Sequence, residues 1–337
     1  MSKKIGSWIF ALIVLLLIAP VQEAQAATGA TFSLSPELTD ARSKQSGYFD
    51  IVTTGGSTVE LHAKLTNLTN SAKKIRVELT NAYTTNAGQV AYNPGAQADS
   101  TAEHTLSQLG PAGQVYTLAA DESKDVAVKL QVPKDGLNGE VVGALYAQDL
   151  KTYGGKGKGM NLNNRFAMYT AVVVRTSTAY VHPDLRLTRV KTGTQDGQAA
   201  VLATVQNTQP QMFGQMTIES KVYRIGAKEP LLTSKKTNYA MAPNSHFVYA
   251  TRVKKALRSG TYRLELTAKS GTRMWHLHKQ FKVSRQAARR VNKVANLKTG
   301  PQVAAWVIWL VAVLAVIIII LLVLVLRRHP RKKGHRR

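Results

Sequence analysis

Three histidines are the side chains of this sequence best suited to metal chemistry. His276 and His278 alternate along a predicted strand, which puts both on one face about 6.6 Å apart. With His246 they could supply three imidazole ligands of the kind that zinc accepts. No acidic residue or further histidine stands close to them in sequence, so isolated polar alternation on a strand is the favoured interpretation. We therefore predict no metal site.

Catalytic motifs are also missing from the chain. It contains no H-E-x-x-H, G-x-S-x-G or phosphate-binding loop, and the glycine-rich run from Gly154 to Gly159 lacks the Gly-Lys-Ser/Thr ending that a phosphate loop needs. It contains no cysteine, which excludes a thiol nucleophile, a cysteine-ligated zinc site and disulfides. We predict a protein that is not an enzyme, with no catalytic, cofactor-binding or metal residues, and ligand-binding residues that the sequence leaves unknown.

Two further residue types suggest carbohydrate. Tyrosines at four positions could stack on sugar rings, although strand tyrosines more often pack half-buried: Tyr83, Tyr92, Tyr146 and Tyr153. Asn67-Leu68-Thr69 is an N-glycosylation sequon, which matters only in a eukaryotic host. Neither observation defines a binding site.

The elements that must position these residues are strands. Apolar residues alternate with polar ones in several runs, for example Val59/Leu61/Ala63/Leu65, Val126/Val128/Leu130/Val132 and Tyr262/Leu264/Leu266. Turn sequences such as Thr54-Gly55-Gly56-Ser57 and Asn93-Pro94-Gly95 separate the runs, and no long helical period appears before residue 285. This pattern predicts an all-β chain with two tandem immunoglobulin-like β-sandwiches.

The predicted boundary between the sandwiches falls near His182-Pro183-Asp184, which gives domains of residues 28–182 and 183–284. The run from Gly154 to Gly159 is a competing linker. It also suits a loop between two strands of the first domain, so the boundary stays open between 154 and 184.

Charge differs strongly between the two halves. Residues 27–183 hold 14 Lys+Arg against 13 Asp+Glu, a net charge of +1, whereas residues 184–302 hold 22 against 5, a net charge of +17. A basic exterior domain attracts polyanions such as wall teichoic acids, lipid headgroups or sulfated glycans. The charge could instead serve only solubility. No nucleic acid partner is expected.

Two apolar segments indicate export and anchoring. Lys3 and Lys4 precede the apolar run from Ile9 to Ile18, and Ala24-Gln25-Ala26 follows as a cleavage pattern, so residues 1–26 are predicted to be a signal peptide. An uncleaved first anchor is the alternative. Residues Val303 to Leu326 contain no charge over 24 positions and predict a transmembrane helix.

The residues around that helix set its expected orientation. The basic tail, 327–337, predicts a cytoplasmic end and therefore a single-pass type I protein of the cell membrane with its large domains extracellular. Residues 285–302 form a basic juxtamembrane segment, either an amphipathic helix on the outer leaflet or a solvated stalk. A cysteine-free exterior of this size favours a bacterial surface.

The first half resembles the N-terminal domain of the WxL-interacting proteins of Gram-positive bacteria. Its ordered markers are Phe32 to Pro36, Gln45 to Ile51, Leu65-Thr66-Asn67, Asn81 to Gly88 and Gly139 to Leu145. Gly143-Ala144 stands where a glycine pair is expected. The resemblance implies a domain that binds peptidoglycan.

The second half resembles the partner domain of the same family. Its markers are Pro183 to Leu187, Val205 to Thr208, Met241 to Phe247, Leu257 to Tyr262 and Trp275 to Val283. The resemblance implies binding of host or extracellular-matrix ligands, and association of the whole chain with secreted proteins bearing the WxL wall-binding motif. The alternative function is a surface sensor or a chaperone-like export accessory with immunoglobulin-like domains.

Overall fold

A computed structural model describes residues 30–152, 165–297 and 305–328. Several sequence predictions lie wholly or partly outside these ranges. They include the signal peptide at 1–26, the glycine-rich run at 154–159, the end of the juxtamembrane segment at 298–302, the first two residues of the predicted span at 303–304 and the tail from 329 onward.

Nine strands and two short helices build the first sandwich. The strands are β1 (Phe32–Pro36), β2 (Phe49–Val52), β3 (Thr58–Asn67), β4 (Lys73–Thr84), β5 (Val90–Asn93), β6 (Gln114–Leu118), β7 (Ser123–Gln131), β8 (Val141–Asp149) and β9 (Ala167–Arg175). The helices are α1 (Ala41–Ser46) and α2 (Leu106–Leu109). One sheet has the order β1-β3-β7, and the other has the order β2-β9-β8-β4-β5 with β6 also paired to β4. The pairing of β2 with β9 is parallel.

Seven strands build the second sandwich. They are β10 (Leu185–Gln195), β11 (Gln198–Asn207), β12 (Phe213–Arg224), β13 (Leu232–Met241), β14 (Ser245–Arg252), β15 (Gly260–Ser270) and β16 (Arg273–Val283). They form sheets with the orders β10-β11-β14 and β13-β12-β15-β16. All described pairings in this half are antiparallel. The prediction that the domains are built mainly of β-strands is confirmed.

Each sandwich encloses its own apolar core. The first core is built from alternate residues of its strands, such as Leu61, Ala63 and Leu65 of β3. It extends along the chain as far as Val174. The second core begins at Leu185. Because alternate side chains of a strand point to opposite faces, the predicted apolar runs line these two interiors. The strand β9, which follows the glycine-rich run, pairs with β8 and packs in the first core.

A helix closes one end of the second sandwich. This helix is α3 (Arg285–Val294), and Ser284 caps its N-terminus. The Ser284 hydroxyl oxygen accepts the Ala287 N–H at 3.1 Å. Its buried face places Ala288 and Val291 in the second core. Asn292 receives the Leu257 N–H at 2.9 Å and donates to the Leu257 carbonyl at 2.7 Å. Ala288 and Val291 on the apolar face of the helix are therefore covered by the second sandwich, whereas Val294 is exposed.

The last described element is the helix α4 (Ala305–Arg328). Among the residues that the structure describes, no helix qualifies by length and hydropathy as a membrane span. The predicted span from Val303 to Leu326 is thus not confirmed.

Candidate functional site

A cleft of about 560 Å³ with a mixed polar and apolar lining lies between the two sandwiches. The first sandwich supplies the end of β4, the following turn and the segment from Asn93 to Thr105. The second sandwich supplies the turn from Pro243 to Ser245 and the start of β14. A cleft of this size is in the usual range for small-ligand sites, which are commonly found where two domains meet.

The tip of the β4–β5 hairpin is bonded to the second sandwich. The Thr84 and Ser245 hydroxyls lie 2.6 Å apart, and the Ala242 N–H donates to the Thr84 hydroxyl at 3.0 Å. The Val248 N–H donates to Asn86 Oδ1 at 2.8 Å. One of these bonds joins two side chains and the other two join backbone to side chain across the domain boundary, so together they fix the position of the hairpin.

Two glycines allow the sandwiches to approach closely. Gly88 has a left-handed backbone with a φ of 75°, and it lies so near Tyr239 that a Cβ would overlap the tyrosine ring. A Cβ on Gly139, whose φ is 72°, would overlap the carbonyl oxygen of Pro210. The backbone also crosses the boundary here, because the Ala240 N–H donates to the Gly88 carbonyl at 2.7 Å. Only glycine tolerates both the conformation and the contact.

Asp99 is the most heavily bonded acid of the cleft. Its side chain is 3% exposed, and His246 Nδ1 lies 2.6 Å from Oδ2. Gln206 Nε2 donates to Oδ1 at 2.7 Å, and the Thr101 hydroxyl donates to it at 2.8 Å. Burial by itself would raise the pKa of Asp99, but the hydrogen bonds from His246, Thr101 and Gln206 outweigh it and hold that pKa below its usual value.

Glu140 is the second carboxylate of the cleft, and it is also occupied. Arg175 Nη1 lies 3.4 Å from Glu140 Oε1, and the Met212 N–H donates to Oε2 at 3.2 Å. Arg175 in turn binds Asp50 at 2.9 Å. Glu140 thus links β9 of the first sandwich to the start of β12, and its charge is compensated within the protein.

Three asparagines present amide groups to the cleft in the same way. Each uses its side-chain oxygen to accept a backbone N–H: Asn81 from Ser107 at 2.9 Å, Asn86 from Val248 at 2.8 Å and Asn93 from Gly95 at 2.9 Å. Within the described part of the chain, none of their Nδ2 groups has a hydrogen-bond partner. The cleft therefore carries three oriented donors that are free for a ligand.

The structure separates the histidines considered for metal binding. His246 lies at the cleft against Asp99, whereas His276 and His278 lie on the outer face of the other sheet, opposite Thr267 and Glu265. The described residues contain no group of three histidine or acidic side chains placed to hold a metal ion.

The tyrosines and the sequon have different environments. Tyr83 lines the cleft, whereas Tyr92 packs against Tyr169 with ring centroids 5.1 Å apart. Burial, together with Tyr169, raises the pKa of Tyr92 to about 12. Tyr153 lies outside the described residues. Asn67 is buried, and its Nδ2 donates to the Ser71 and Ala119 carbonyls at 2.8 and 2.6 Å, so the sequon asparagine serves the fold.

Of the residues that form the cleft, the sequence points by itself only to His246 and Tyr83. Asn81 and Asn86 were noticed only as part of a family marker, and Asn93 only as part of a turn. Asp99 carried no signal, because its partners Gln206 and His246 lie more than a hundred positions away.

Several solved structures are similar to this chain at low sequence identity. One is a PapD-like domain of human CEP192, which is 12% identical; the match covers 48% of this chain and 97% of that chain with a TM-score of 0.26. Another is the YadV chaperone, which is 10% identical; the match covers 74% of this chain and 100% of that chain with a TM-score of 0.28. A third is the complex of the Salmonella enterica SafA pilin with the SafB chaperone, at 9% identity; the match covers 76% of this chain and 99% of that chain with a TM-score of 0.27. No curated protein matches the sequence.

Two family models match the chain in succession. The peptidoglycan binding domain of WxL Interacting Protein matches residues 32–149, and the host binding domain matches residues 157–293. The second match begins before β9, although β9 belongs to the first sandwich by pairing and packing. Both matched families are binding domains rather than catalytic ones. With both models matched in order over most of its length, the chain belongs to the WxL-interacting protein family.

Proposed function

We propose that this protein is a non-catalytic scaffold of the Gram-positive cell surface. Its first sandwich binds peptidoglycan, its second binds host or extracellular-matrix ligands, and the whole chain associates with WxL-motif wall proteins. The observation that carries this proposal is the ordered pair of family matches, one largely on each sandwich. We place the division between the sandwiches near Pro183, between domains of residues 28–182 and 183–284.

Anchoring in the membrane is the second part of the proposal. Val303 to Leu326 contain no charge, and they are followed by a basic segment at 327–337. Large apolar side chains of α4, such as Trp309 and Ile319, are exposed on the chain itself and need an apolar environment. With residues 1–26 as a signal peptide, this gives a single-pass type I protein whose sandwiches are extracellular.

The anchor is tested by fractionating cells that produce the full-length chain. We expect it in the membrane fraction after alkaline extraction, and we expect the double substitution Ile318→Lys, Ile320→Lys to shift it to the soluble fraction. The matched control places two lysines at exposed positions of the second sandwich, Thr233→Lys and Thr237→Lys. Recovery of the unsubstituted chain in the soluble fraction would rule out the anchor.

The basic end of the second sandwich favours anionic ligands for this domain. Asn292 holds the loop around Leu257 against α3. This brings together exposed basic residues of the two elements, which we call the basic end: Lys254, Lys255, Arg258, Arg285, Arg289, Arg290 and Lys293. None has an acidic partner among the described residues. Such a cluster attracts sulfated or phosphorylated polymers, with an affinity that falls as salt rises.

Binding is tested with the full-length chain in detergent micelles, immobilised and exposed to isolated cell-wall sacculi and to culture fluid from Gram-positive bacteria. The measurement is repeated at about 0.05 and 0.5 M salt, because these values change the Debye length by roughly threefold. We expect sacculi and WxL-motif proteins to be retained at both salts. Capture of polyanions alone, lost at the higher salt, would show that charge explains the binding and would refute the scaffold proposal.

A further inference from the structure

We propose that the cleft between the sandwiches binds a neutral, N-acetylated glycan strand through the side-chain amides of Asn81, Asn86 and Asn93. This inference rests on the proposed peptidoglycan binding. It names the part of that polymer that is recognised, the sugar chain rather than the peptide, and the place where recognition occurs.

The three amides are arranged as hydrogen-bond donors. Each side-chain oxygen is held by a backbone N–H, which fixes the orientation of the amide and leaves its two Nδ2 hydrogens without a partner in the described chain. Donors need acceptors, and an acetamido carbonyl oxygen or a sugar hydroxyl oxygen is a suitable one. Because the oxygens are already bonded within the protein, these asparagines are oriented before any ligand arrives.

The strand pairing brings two of the donors together. Asn81 and Asn93 are direct partners in the antiparallel pair of β4 and β5, so their side chains project from the same face. Tyr83, two residues further along β4, lines the same cleft and offers an aromatic ring on which the C–H face of a sugar can pack. Asn86 lies at the hairpin tip, where Val248 of the second sandwich holds it.

The charge of the cleft argues for a neutral ligand. Its two carboxylates are occupied, Asp99 by His246 and Glu140 by Arg175. The residues that line it include no lysine or arginine. A strongly ionic ligand would find no free counter-charge there, and its desolvation would not be compensated.

An extended peptide fits the free groups less well than a glycan. A peptide backbone presents N–H and C=O groups in equal number, so it needs acceptors as well as donors. The carboxylates of Asp99 and Glu140 already accept bonds from Gln206 and Met212, and the oxygens of the three asparagines already accept backbone N–H groups. Sugar hydroxyls can rotate to accept from the free amides.

The test measures binding of two soluble oligosaccharides to the full-length chain in detergent micelles by calorimetry. One is the β-1,4-linked tetramer of N-acetylglucosamine, and the other is its de-N-acetylated counterpart. Asn81→Asp and Asn93→Asp are the decisive variants, because aspartate keeps the oxygen that accepts the Ser107 or Gly95 N–H and replaces the Nδ2 donor by a charged acceptor oxygen. Each should weaken binding of the acetylated tetramer roughly three- to tenfold.

The control variant is Asn296→Asp, which adds the same charge at an exposed position beyond the end of α3 and should bind like the unsubstituted chain. Equal binding by the two tetramers, or unchanged binding by Asn81→Asp and Asn93→Asp, would overturn the inference. Parallel binding to whole sacculi separates the two proposals. If the chain retains sacculi and only free stem peptide displaces them, peptidoglycan binding is supported and the glycan site is refuted. If the chain binds the tetramer but does not retain sacculi, the glycan site is supported and peptidoglycan binding is refuted.

Discussion

The two sandwiches handle charge in opposite ways. The first is almost neutral overall, yet every buried charged side chain in the described chain belongs to it: Asp50, Lys73, Asp99 and Asp149. The second carries a net charge of +17 over residues 184–302 and buries none of it. Its buried polar contacts are made by neutral groups, such as the Ser220 and Thr251 hydroxyls 2.7 Å apart.

The contrast arises because the two halves differ in how many oppositely charged residues are available to form ion pairs. A buried charge is tolerated only when an opposite charge and hydrogen bonds compensate its lost hydration. In the first half acids and bases are nearly equal in number, so Lys73 can bind Asp149 at 2.9 Å inside the fold. In the second half 22 bases face 5 acids, and the surplus must stay in water. Internal ion pairs thus fix the first sandwich, whereas surface charge gives the second its long-range attraction for anions.

The largest expected effect comes from breaking the buried ion pair of the first sandwich. Lys73→Met leaves the Asp149 carboxylate buried without its ammonium partner, which should lower the free energy of unfolding by about 3 to 5 kcal/mol. Lys74→Met is the matched control, because Lys74 is the exposed neighbour on the same strand. Urea unfolding of the full chain measures both. The double variant Lys73→Met, Asp149→Leu should recover most of the loss, and a Lys74→Met chain that is equally destabilised would contradict this account.

The next largest effect is expected from a substitution that prevents the close approach of the two sandwiches. Gly88→Ala combines a left-handed backbone with an overlap against Tyr239, and we expect a loss of about 2 to 4 kcal/mol. Gly197→Ala has nearly the same φ, 71°, but no atom within 4 Å of the new Cβ, so it isolates the backbone strain at about 1 kcal/mol. Limited proteolysis should cut the β4–β5 hairpin only in the Gly88 variant. Equal losses in the two variants would show that the domain contact adds nothing.

A smaller effect concerns Asp99, a buried acid that joins the two sandwiches through a histidine. The Asp99 pKa is lowered in the folded state, so its contribution to stability is present above its unfolded pKa near 3.8 and is lost as the pH falls through the folded value. Asp99→Asn should therefore be less stable than the unsubstituted chain by about 1.5 to 3 kcal/mol at neutral pH. The difference should shrink below about pH 4. Thermal unfolding across this range measures it, and a difference that does not change with pH would exclude a role for the carboxylate charge.

The smallest effect tests the surface charge of the second sandwich. Arg289→Glu, Arg290→Glu reverses two exposed charges of the basic end and should weaken binding to a sulfated polysaccharide several-fold at low salt, with little change in the unfolding temperature. The control is Lys236→Glu, Lys269→Glu, which makes the same charge change at exposed strand positions of the second sandwich that have no acidic partner in the described chain. Surface plasmon resonance at two salt concentrations compares them. Equal weakening by both pairs would assign the attraction to net charge rather than to the basic end.

Strand periodicity and overall charge could be predicted from the sequence because they depend on neighbouring residues. The alternation from Val59 to Leu65 predicts a strand with one buried face, and β3 is such a strand. The family could also be identified, because its markers occur in a fixed order along the chain. The parallel pairing of β2 with β9 could not be predicted, since no local pattern connects strands 123 positions apart at Phe49 and Val172.

Tertiary structure alone decided what lies between and beside the sandwiches. The helical spacing after residue 285 predicts an amphipathic helix, but only packing shows that Ala288 and Val291 cover the second core. In the same way, Asn81, Asn86 and Asp99 are ordinary turn and strand residues until the fold brings Ser107, Val248 and His246 to their side chains. Periodicity fixes which face of a strand or helix is apolar, because it is a local property of the backbone. What that face meets, and which polar groups remain free for a ligand, depends on contacts between residues far apart in the chain.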